Sequence, residues 1–118
     1  KALGESTRKA WKKGKEYLSD DPETYKRGAD QKLKELGAEI AELRTNSTGL
    51  KERTYFLTRI EALELQHKFA ANQLAALPAE EVKKGREGER SRVDTVIGHL
   101  EDYVDLAKQE LREFDAVR

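Results

Sequence analysis

Three apolar stripes with alternating three- and four-residue spacing run through this chain of 118 residues. The cleanest is Val93, Ile97, Leu100, Val104, Ala107, Leu111, Phe114; the others are Ala29, Leu33, Leu36, Ile40, Leu43 and Phe56, Ile60, Leu63, His67, Ala70, Leu74, Leu77. This spacing keeps apolar side chains on one face of a helix and is the seam of helices packed lengthwise. A strand would need period-two alternation and more β-branched and aromatic residues, whereas aromatics are 7% and charged residues 39% here. The sequence therefore predicts an all-α fold, an antiparallel three-helix coiled-coil bundle with helices over about 22–45, 50–77 and 79–117.

The breaks between stripes set the topology. Asp21 is suited to cap, Pro22 to the first helical position, and Glu23 to the first turn, so the first helix starts there. Asn46, Ser47, Thr48 and Gly49 are poor helix formers in succession and argue for a reversal. Leu36, Leu43, Leu50 and Leu57 nevertheless stay in phase across them. The competing architecture is thus a long hairpin with one continuous helix over 23–77. Pro78 ends the second helix. Residues 79–92 alternate in charge around one larger apolar side chain, Val82, and read as a solvated opening to the last helix or a loose helical connection.

Two units follow: a short basic arm over 1–20 and the bundle over 21–118. Between residues 5 and 16, Arg8, Lys9, Lys12, Lys13 and Lys15 stand against Glu5 and Glu16. In helical geometry Leu3, Ala10, Trp11, Tyr17 and Leu18 share the opposite side, while Gly4 and Gly14 weaken the helix by roughly 1 kcal/mol each. This amphipathic arm is expected to be separable from the bundle and to meet an anionic membrane surface or an acidic partner through Trp11 and its basic neighbours.

The chemistry-bearing residues point away from catalysis. There is no cysteine, no nucleophile elbow and no phosphate-binding glycine loop. Glu64 and His67 have the Glu-x-x-His spacing of di-iron bundles, but the second motif is missing, since Val96 stands three residues before His99. They are weak metal candidates, and His67 reads first as a hydrogen-bonded seam residue. Asn46, Ser47 and Thr48 form an N-glycosylation triplet that turn chemistry explains better. Lys plus Arg equals Asp plus Glu, 23 each, so no global field favours nucleic acid.

These observations lead to the expectation of a non-enzymatic helical interaction or structural module with no cofactor, no nucleic-acid partner and no small-molecule substrate. Its partner would be another protein or a second copy, met near the last helix's end at Leu111 and Phe114. The alternatives are a lipid-surface protein and a metal-binding bundle. The chain begins at Lys1 and contains no methionine, which suggests a mature or trimmed form and tilts the expected location to the periplasm or exterior over the cytoplasm.

Overall fold

A computed structural model describes residues 21–116. Helices α1 (Pro22–Asn46), α2 (Arg53–Ala76), α3 (Ala79–Lys83) and α4 (Arg90–Ala116) follow one another, with a 3₁₀ turn at Gly85–Glu87 before α4. Among the described residues three long helices make the bundle, and α3 closes one end of it. No strand occurs among the described residues.

The start of α1 follows from its first residues. Asp21 accepts from the Thr24 backbone N–H at 2.9 Å and from the Thr24 hydroxyl at 2.8 Å, and Pro22 occupies the first turn. At the other end the continuous helix over 23–77 is not formed. The turn residues satisfy their own backbone instead: the Ser47 hydroxyl donates to the Arg44 carbonyl at 3.1 Å, and the Thr48 hydroxyl to the Thr45 carbonyl at 2.9 Å. Ser47 itself is fully buried. Leu50, in phase with α1 by sequence, sits in the turn and is buried against the core. The phase was real, but it serves the bundle's closed end rather than a longer helix.

The last helix also differs from a single element over 79–117. Pro78 caps α3, and Val82 is completely buried, so the segment expected to be a solvated opening or loose connection supplies one core residue. Gly85 turns the chain with φ 62°, a conformation that favours glycine. Glu81 then accepts from the Glu89 backbone N–H at 2.9 Å and from Lys84 at 2.8 Å, placing a carboxylate at the N-terminus of α4. Gly88 lets this turn close, since a Cβ there would stand 2.1 Å from the Glu81 carbonyl oxygen.

Helix directions can be read from the polar contacts. Tyr25 meets Asp94, Lys32 meets Glu101, and Glu39 meets Lys108, each pair the same 69 positions apart. A constant offset means that α1 and α4 run parallel, and successive contacts are one heptad apart. Between α2 and its neighbours one residue number rises as the other falls, as in Arg44 with Glu64 and His67 with Leu33, so α2 is antiparallel. The three stripes meet in one core that runs from Tyr25 through Leu36, Ile60, Ile97 and Leu100 to Val104 and Ala107.

Candidate interaction surface

α2 differs from its neighbours in carrying apolar side chains on both sides. Phe56, Ile60, Leu63, Ala70 and Leu74 face the core. Leu65 and Phe69, one turn apart on the opposite side, are 69% and 53% exposed. Leu106 of α4 and Tyr55 of α2 are exposed as well. A shallow cleft of about 340 Å³ between α2 and α4 is lined by Arg59, Ala62, Leu63, Gln66, Tyr103 and Leu106. Along its edge Arg59 meets Glu110 at 2.6 Å, and the Tyr55 hydroxyl lies 3.2 Å from Arg59. The face is apolar in its middle and bears charge of both signs at its rim, a common layout for protein contact surfaces.

Leu111 and Phe114, the expected partner contact, lie near the end of α4. Both are half-buried against the core, and Phe114 stands edge-on to Phe56 with ring centroids 5.4 Å apart and to Tyr55 at 6.2 Å. These T-shaped contacts close the far end of the bundle. Among the described residues the large exposed apolar side chains lie on α2 and the adjoining edge of α4. A count of the α2 stripe alone misses them, because Leu65 and Phe69 fall between its positions.

Glu64 and His67 are brought to the same neighbour, α1, but are each engaged by it separately. The Arg44 guanidinium grips Glu64 with contacts of 3.0 and 3.2 Å. His67 Nε2 donates to the Leu33 carbonyl at 2.6 Å, which places the ring proton on Nε2, since a carbonyl only accepts. Gly37 makes room for that ring: a Cβ there would lie 3.1 Å from Nε2. Among the described residues no group of three His, Cys, Asp or Glu side chains is arranged to hold a metal. The second cleft, about 340 Å³, lies beside this histidine between Lys26, Asp30, Leu33, Lys34, Ala71 and Leu74.

At the opposite end Tyr25 is fully buried, and its hydroxyl donates to Asp94 at 2.6 Å. Burial and the neighbouring carboxylate push the Tyr25 phenol far above its usual range, and burial raises the Asp94 carboxyl. The Arg90 guanidinium lies over the Tyr25 ring at 5.1 Å and beside Asp94. This cluster was outside the apolar stripes and is a structural clamp between α1 and α4. Arg8, Lys9, Trp11, Lys12, Lys13 and Lys15 lie outside the described residues.

Comparison with protein-family models, curated proteins and solved structures finds no match. No helix among the described residues is long and apolar enough to cross a membrane.

Proposed function

We propose that the chain is a non-enzymatic helical interaction module that associates through the outer face of α2, with a second copy of itself as the partner. The observation that carries this reading is the pair Leu65 and Phe69, the two most exposed large apolar side chains among the described residues, on the outward side of a helix whose inward side is already filled. A two-fold contact needs a self-complementary patch. Glu61 and Lys68 stand on either side of Leu65, four residues before and three after, and are exposed. Two antiparallel copies of α2 crossing near Leu65 bring Glu61 of each opposite Lys68 of the other. Zero formal net charge leaves no long-range repulsion between copies.

Sedimentation equilibrium tests the reading. The 118-residue chain is expected to approach twice 13.5 kDa as its concentration rises, and Leu65→Glu with Phe69→Glu to hold it at the monomer mass. A wild-type chain that stays monomeric up to millimolar concentration overturns self-association.

A further inference from the structure

The cleft between α2 and α4 lies beside the exposed pair Leu65 and Phe69 rather than beneath it. Buried Leu63 is at its floor, with Arg59, Ala62 and Gln66 on one side and Tyr103 and Leu106 on the other. At about 100° per residue Phe69, Ala62 and Gln66 fall round α2 from Leu65 towards α4, whereas Glu61 and Lys68 fall the other way, towards α1. Ala62 is exposed and ends at its Cβ, so the cleft is open above it. Phe69 stands about two turns further along α2, outside these walls and 53% exposed, and Leu106 at the rim is 43% exposed.

Taking self-association through α2 as the basis, we infer that this cleft is the socket for Phe69 of a second copy, and that the contact is reciprocal. A two-fold axis that crosses α2 at Leu65, at right angles to the helix and in the plane of contact, reverses the helix direction but keeps the flank facing α4 on the same side. Phe69 is about 6 Å along the helix from Leu65, so the partner's Phe69 arrives about 6 Å on the other side of the axis. That is the level of Glu61 and Ala62, on the flank that holds the cleft.

Charge and cover select this occupant. On the opposite flank the same operation sets Glu61, about 6 Å from the axis, against the partner's Lys68, about 4.5 Å from it on the matching side. Opposite charges then close the flank that has no socket. Leu65 meets the partner's Leu65 at the axis, Phe69 enters the partner's cleft, and Leu106 is covered from above. One arrangement thus buries three of the four large apolar side chains exposed among the described residues. A parallel two-fold pair would carry the partner's Phe69 to the flank of Lys68 and leave both clefts empty.

Two variants of the 118-residue chain take the contact apart from opposite sides. Ala62→Gln fills the socket and keeps Leu65 and Phe69; Phe69→Ala removes the ring and keeps the socket. Each homodimer should have a dissociation constant about ten-fold or more above that of wild type in sedimentation equilibrium. Both positions are exposed on α2, and glutamine and alanine suit a helix, so far-UV circular dichroism should match wild type. In an equimolar mixture, with one variant fluorescently labelled, the mixed dimer keeps one ring matched to one open socket. After the factor of about two for mixed pairing, its dissociation constant should lie about five-fold below the geometric mean of the two homodimer constants, a coupling that independent losses cannot produce. A mixed dimer at the geometric mean, or Ala62→Gln dimerising like wild type, overturns the socket while self-association through Leu65 stands. A wild-type chain that stays monomeric overturns self-association itself, and the socket with it.

Discussion

Lys32 Nζ lies 2.5 Å from Glu101 Oε2, with the two side chains 8% and 4% exposed, in the middle of the parallel α1–α4 pair. A buried pair of this kind fixes register more surely than it adds stability, because both charges lose their hydration. One heptad to either side, Tyr25 with Asp94 and Glu39 with Lys108 repeat the same offset. A slip of one turn between α1 and α4 would break all three contacts at once.

Removing one partner should therefore cost more than removing both. Lys32→Met or Glu101→Gln alone is expected to destabilise by roughly 3 to 5 kcal/mol, since each takes the opposite charge away from a buried ion. The double variant Lys32→Met with Glu101→Leu should recover much of that loss. Urea titrations of the four proteins measure the coupling, and additive effects would contradict a buried pair.

Core truncations supply the scale. Leu100→Ala and Ile60→Ala remove fully packed side chains and should each cost about 2 to 5 kcal/mol. Lys83→Glu, on an exposed position of α3, should cost far less. The reverse order in denaturant midpoints would refute the assigned core.

Gly37→Ala tests the seat of His67. In an open helix position the change gains about 1 kcal/mol of helix propensity, but here the added carbon meets the imidazole. The substitution should be neutral or destabilising in the wild-type background. It should become stabilising by about 0.5 to 1 kcal/mol once His67→Ala has removed the ring. Thermal melts of the two pairs give the answer.

Acid stability should reflect two carboxyls of opposite sign. The Thr24 backbone N–H and then its hydroxyl hold Asp21 below its ordinary 3.8, so the cap contributes fully above 3.8 and is lost as pH falls through the lower folded value. Burial raises Asp94 above 3.8, so its contribution is full below 3.8 and is lost as pH rises through the raised value. Asp21→Asn keeps a capping side chain and should flatten the fall in melting temperature below pH 3.8. Asp94→Asn should lose the stabilisation that wild type gains on acidification towards pH 3.8. Identical pH profiles for both variants and wild type would refute these assignments.

Helix positions and the core seams were legible in the sequence, because burial of one face imposes a period that no other structure shares. Asp21, Pro22 and Pro78 marked ends for reasons confined to a few neighbouring residues. Local chemistry left the turn at Asn46–Gly49 in competition with the in-phase Leu50, and only the packed bundle decided it, by burying Ser47 and using Leu50 to close its end. Pairing between helices was out of reach for the same reason. The 69-residue offset that sets Tyr25 against Asp94 and Lys32 against Glu101 joins positions with no local signal between them. The outward face of Leu65 and Phe69 and the cleft beside Ala62 likewise acquire meaning only from what does or does not lie beside them in space. Periodicity states which face of a helix is apolar; tertiary packing decides which helix, and which charge, that face meets.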